Sequence, residues 1–124
     1  QLVLATLHTA NAVQTIDRII DAFPPHQQNQ IRLQLSLTLK AVISKKLLPR
    51  IEGGRLPVYE VLINTTAIST VIRDNRTLQI RSILETSGDI GMVNMDKEIE
   101  RYYKAGEISK ETRNLYTEHA DYII

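Results

Sequence analysis

The chain has 124 residues, 43% of them hydrophobic and 23% charged, with a formal net charge of +1 and no cysteine. That length and balance suit one globular domain with a real core and argue against disorder, and the small net charge leaves no global basic field for nucleic acid or an anionic membrane. The absence of cysteine excludes disulfides, thiolate zinc sites and thiol catalysis, and fits a reducing compartment.

The chain opens on an apolar run, Leu2 to Leu7, which predicts a buried strand that stops at His8. It lacks the basic flank and small-residue cleavage site of a signal peptide, and no apolar run reaches the length of a membrane span. A helical pattern begins just after it. His8 therefore stands at a strand-loop-helix junction, where α/β proteins bind ligands outside the carboxyl end of a strand. A strand buried on both faces needs neighbours, and none precedes this one. The chain is expected to be the back part of a larger nucleotide-handling domain.

Val13, Ile16, Ile19, Ile20 and Phe23 recur at helical spacing; Asn11 can cap that helix and Pro24-Pro25 ends it. Pro25 also suits the first turn of a following helix. Ile31, Leu33, Leu35, Leu37 and Leu39 alternate with polar residues as a strand would, yet Ile31, Leu35, Leu39 and Val42 fit one helical face. Its length and its good helix formers favour a helix over residues 27–41. Residues 42–51 and 56–63 bracket Glu52-Gly53-Gly54-Arg55 and predict a β-hairpin, placed at a sheet edge by Pro49 and Pro57.

Beyond Asn64 the pattern is helical. Thr65 or Thr66 can cap Ala67 to Arg73. Leu78, Ile80, Ile83 and Leu84 predict a short helix, Gly91 to Asn94 a loop, and Met95, Ile99, Tyr102 and Tyr103 a helix ending at Gly106. Ser109 caps a last helix through Tyr116. No internal repeat, low-complexity tract or linker is present.

Few residues carry recognisable chemistry. His8 can donate a hydrogen bond to a phosphate oxygen and can change charge near neutral pH; the alternative is a structural histidine bonded to a nearby carbonyl. Thr6 and Thr9 could contact the same ligand or bond the backbone of the turn. There is no GxxxxGK[ST] or GxGxxG loop to cradle phosphate, and no clear acidic metal-binding strand. The histidines at 8, 26 and 119 are scattered, so no metal site is expected. Asp17 and Arg18 are neighbours on a helix and read as surface residues. The basic middle (Lys45, Lys46, Arg50, Arg55, Arg73, Arg76, Arg81) and the acidic end read as solvated faces, or as subunit contacts if the parent is a ring.

In order along the chain, Leu2-Val3-Leu4-Ala5-Thr6-Leu7-His8-Thr9, Thr15-Ile16-Asp17-Arg18-Ile19-Ile20-Asp21, Phe23-Pro24-Pro25, Val42-Ile43-Ser44, Leu47-Leu48-Pro49-Arg50 and Gly91-Met92 with Met95-Asp96 resemble the C-terminal part of the pilus-retraction ATPases. These are the PilT-type motors of twitching motility, within the type II/IV secretion ATPase superfamily. The resemblance implies an α/β fold: the C-terminal part of a RecA-like P-loop ATPase domain, with one strand plus a β-hairpin followed by a mainly helical half. Residues 1–64 would complete the ATPase core and residues 65–124 form a helical subdomain. It implies a homo-hexamer that hydrolyses ATP with Mg2+ and drives pilus retraction. The motor would work in the cytoplasm at the inner-membrane face, with peripheral membrane association only, against a pilus platform protein. His8 then matches the histidine box, near the γ-phosphate, with Thr6 and Thr9 as candidate nucleotide contacts. Ala67, Ile68, Ile72 and Arg73 match the family's retraction helix.

The chain departs from the family at three points. The phosphate loop, aspartate box and Walker B acid precede the matched region in the family, so this chain alone is not expected to hydrolyse ATP. Ser69 replaces an arginine of the retraction helix, and Lys45-Lys46 stands where glutamines are usual. No four-cysteine insertion follows Leu48-Pro49, which weighs against the zinc-bearing secretion and assembly branch. The alternatives are a non-enzymatic ring-interface or partner-docking module, and a type II secretion or pilus assembly ATPase.

Overall fold

The computed structural model describes residues 1–117; His119 and Tyr122 lie outside them. Asn11 caps the first helix, α1 (Ala12–Asp21), by accepting the Gln14 N–H. Ala12, Val13, Ile16 and Ile20 share one buried face of it. Asp17 on α1 is half-buried and accepts the Thr77 hydroxyl at 2.9 Å, while Arg18 beside it is exposed.

The next helix, α2 (Pro25–Thr38), starts on Pro25, whose missing N–H would have had no helical partner anyway. Packing decides its ambiguous pattern. Ile31, Leu35 and Leu39 turn toward the core, whereas Leu33 and Leu37 are exposed. That is a helical face, not strand alternation. The helix ends at Thr38, short of the expected residue 41, because Leu39 is already extended and Ala41 opens a strand.

Strands β1 (Ala41–Pro49) and β2 (Arg55–Ile63) pair antiparallel, Ala41 opposite Ile63 and Pro49 opposite Arg55. The reversal between them uses Gly53 and Gly54 at φ 103° and 76°. With two strands, both are edges, so Pro49 and Pro57 interrupt no central ladder. The even-numbered positions face inward: Val42, Ser44 and Leu48 on β1, and Leu56, Val58, Glu60 and Leu62 on β2.

The rest is helical. Thr65 caps α3 (Thr66–Arg73), a 3-10 turn over Thr77–Gln79 leads into α4 (Ile80–Thr86), and a second covers Gly88–Ile90. Asn94 caps α5 (Met95–Lys104) and Ser109 caps α6 (Lys110–Tyr116). One apolar cluster joins α1, α3 and α4 to the open end of the hairpin through Ile16, Ile68, Ile72, Ile80, Val42 and Leu62. A second joins the turn end of the hairpin to α5 through Leu48, Leu56, Val58, Met95, Ile99 and Ile108. Both clusters take residues from either side of position 64.

The architecture is α/β, a hairpin set among helices, but three local expectations are corrected. The apolar run Leu2–Leu7 forms no strand. A strand exists through its ladder of hydrogen bonds, and among the described residues the one sheet is the hairpin. Without neighbours its side chains stay in solvent, Leu4 88% exposed. Residues 91–94 are more than a loop: Val93 exchanges both backbone hydrogen bonds with Val61, at 3.0 and 2.9 Å, on the outer edge of β2. Leu78 does not line the helical face assigned to it. It lies in the 3-10 turn before α4 and is exposed, while Ile80 and Leu84 fill the core.

Candidate functional site

The segment that precedes α1 is built as an extended cap. Thr15 donates its hydroxyl to the Asn11 carbonyl at 2.8 Å, so the Thr9 hydroxyl, 2.6 Å away, donates to Thr15. The Ala10 N–H donates to the Gln14 side-chain oxygen at 2.6 Å. Residues 9–15 are thereby closed on themselves by local side-chain bonds. His8 sits immediately before this cap. It is exposed, and among the described residues no group hydrogen-bonds its ring. An imidazole there has an N–H free to meet an incoming acceptor.

Thr6 and Thr9 line a cleft of about 520 Å³ between residues 3–9 and β1, with Ala41, Ser44 and Lys45 across from them. His8 is not on that lining. The structure thus brings Thr6 and Thr9 to one cleft, Thr9 also being bonded within the cap, and leaves His8 exposed and off that lining. The α3 residues divide in the same way. Ile68 and Ile72 are fully buried in the first apolar cluster, and Ala67 and Arg73 are exposed. Arg73 pairs with Asp74 at 3.3 Å. Ser69 faces α2, where its hydroxyl donates to the Ser36 carbonyl at 2.8 Å.

Residue typing overlooked Glu60. It is 5% exposed, in the middle of the inward face of β2, and its Oε1 accepts the Ala12 N–H at 2.9 Å. The signal was present in the alternation: Leu56, Val58, Glu60 and Leu62 share one side of the strand. A carboxylate in that row is a buried acid that needs a partner. One partner is the first N–H of α1, which the helix itself leaves unbonded, and the positive end of the helix dipole favours the charge.

A bound nucleotide requires donors converging on phosphate. Exposed and unbonded, His8 fits one such donor. Among the described residues no group of three or more His, Cys, Asp or Glu could hold a metal ion. No helix among them is long and apolar enough to cross a membrane.

No protein-family model matches the chain. It is 40% identical over 110 residues to the type IV pilus retraction ATPase PilT of Pseudomonas aeruginosa, covering 89% of this chain and 32% of that protein. It is 38% identical over 121 residues to a twitching motility protein of Neisseria gonorrhoeae, covering 97% of this chain and 32% of the relative. Among solved structures it superposes on the pilus retraction motor PilT with bound ADP at a TM-score of 0.79 and 40% identity, over 90% of this chain and 31% of that one. The chain spans about a third of the length of the curated relatives it matches. In sequence and in fold, this chain resembles the C-terminal part of the pilus-retraction ATPases of the type II/IV secretion ATPase superfamily.

Proposed function

We propose that this chain is the C-terminal part of an ATP-hydrolysing pilus-retraction motor, with His8 as the residue that faces the γ-phosphate. The observation that carries the reading is the ordered match itself: 38% identity over 97% of the chain, without a break in the order of its segments. The parent is a RecA-like ATPase that assembles as a hexamer in the cytoplasm, at the inner-membrane face, and works against a platform protein of the pilus. ATP supplies the phosphoryl group and Mg2+ its counter-charge. Residues outside this chain hold the metal and cradle the phosphates.

What this chain's own residues do is narrower. The closed cap at residues 9–15 fixes the backbone directly after His8, so the ring is presented from a rigid base. An imidazole N–H there donates one hydrogen bond to a phosphate oxygen, and gains most where negative charge grows during transfer. Thr6 adds a hydroxyl from the neighbouring extended segment. Ala67 and Arg73 are the solvent-facing members of the retraction helix and form its contact surface, while Ile68 and Ile72 hold that helix in place.

The test is His8→Ala in the full-length protein that carries this chain. Turnover falls by about tenfold or more while nucleotide affinity stays within about twofold, as expected for a donor felt mainly in the transition state. Unchanged turnover removes His8 from the mechanism. A second reading, a ring-interface or docking module without chemistry of its own, draws on the exposed apolar face of the hairpin, where Ile43 is 68%, Leu47 47% and Tyr59 45% exposed. It predicts that His8→Ala leaves turnover untouched while substitutions on that face break assembly.

A further inference from the structure

We infer that Glu60 is a positioning residue for His8, a buried carboxylate that locks the His8-bearing segment to the hairpin. The inference rests on the histidine reading above and extends it to a residue that never touches the substrate.

Three observations converge on Glu60. Its side chain is buried, and its Oε1 reaches the Ala12 N–H at 2.9 Å across 48 positions of sequence. Ala12 is the first residue of α1 and lies four residues after His8. Second, the local bonds of the cap tie residues 9–15 only to one another: Thr9 to Thr15, Ala10 to Gln14, and Asn11 to Gln14. They make the segment rigid but do not say where it sits. The Glu60 bond spans from this cap to the sheet. Third, Glu60 occupies the seam between the two apolar clusters, with Leu62 in one and Val58 in the other. A cavity of about 10 Å³, at most the room for one water, lies there beside Asn11, Arg81, Asn94 and Asp96. Polar groups from α1, α4 and α5 thus meet at the base of the cap.

The chemistry favours a carboxylate at this point. The first N–H of a helix has no internal acceptor, and an anion there gains from both the hydrogen bond and the dipole. A leucine, which the surrounding alternation would suggest, would leave that N–H buried and unpaired. The arrangement therefore trades apolar burial for directional control of the α1 N-terminus.

Two readouts on the full-length protein test it. Hydrogen exchange of the peptide covering residues 9–16 becomes about tenfold faster at its protected amides in Glu60→Ala, while a peptide from α5 is unchanged. In steady-state kinetics Glu60→Ala lowers kcat with little change in KM, and the Glu60→Ala/His8→Ala double variant turns over no more slowly than His8→Ala. Where Glu60→Ala does not fold, Glu60→Gln takes its place. It keeps an acceptor for Ala12 but loses the charge, and raises exchange in the same peptide about threefold. Unchanged exchange in either variant overturns the inference. So does a double variant whose losses multiply, because Glu60 would then act independently of His8. If His8→Ala alone leaves turnover unchanged, the histidine reading fails, and the exchange result by itself still decides whether Glu60 holds the segment.

Discussion

The Ser69 hydroxyl lies 2.8 Å from the Ser36 carbonyl and 2.9 Å from the Asn64 side-chain oxygen, joining α3 to the end of α2. The Asn64 amide nitrogen donates to the carbonyls of Ser36 and Leu39 at 3.0 and 2.8 Å. Carbonyls at a helix C-terminus have no partner within the helix, so one asparagine closes the end of α2 and its neighbour closes the start of α3. Ser69 is a side chain short enough to join this network.

Asn64→Ala removes the amide donor to the Ser36 and Leu39 carbonyls and one of the two acceptors within reach of the Ser69 hydroxyl. We expect a loss of about 1–3 kcal/mol of stability, and about 1 kcal/mol for Ser69→Ala, read from urea midpoints at unchanged slope. A loss from Ser69→Ala larger than that from Asn64→Ala would mean that Asn64 is not the centre of the network.

The two kinds of residue in α3 separate stability from function. Ile72 is fully buried, so Ile72→Ala costs about 2–5 kcal/mol. Arg73 is exposed and, among the described residues, pairs with its neighbour Asp74, so Arg73→Ala shifts stability by no more than about 0.5 kcal/mol. If α3 is a retraction surface, Arg73→Ala in the parent impairs twitching with the unfolding midpoint intact. Normal motility in that variant takes Arg73 out of the surface.

A third set concerns the last helix. The Arg113 guanidinium lies 4.4 Å over the Tyr103 ring and 3.6 Å from Glu100, with its side chain only 13% exposed. Lys46 on β1 donates to the Tyr116 carbonyl at 3.1 Å. These contacts hold α6 against α5 and the hairpin. Arg113→Ala is expected to speed hydrogen exchange of residues 110–116 by about fivefold, corresponding to roughly 1 kcal/mol of cation–π and ion-pair contact, with α1 unaffected. Arg113→Lys does not restore protection, because an ammonium cannot stack its plane on the ring. Full protection with lysine would assign the effect to charge alone.

The helix ends were legible in residue chemistry. Asn11, Thr65 and Ser109 each bond an N–H three residues on, a contact within one turn that needs no tertiary partner. The Gly53-Gly54 reversal and the alternation of the hairpin were legible for the same reason, since turn geometry and the strand period are local. What packing alone settled were pairings between distant residues. Leu2–Leu7 has strand composition, but no composition supplies a ladder partner. Residues 31–39 carry both periods, and only the core against which Ile31 and Leu35 pack selects the helix. Glu60 could be placed on the inward face from its neighbours, yet nothing in its own segment names Ala12 as its partner. The two meet because α1 lies across the hairpin, and that crossing is set by the burial of Ile16 and Leu62 in one cluster.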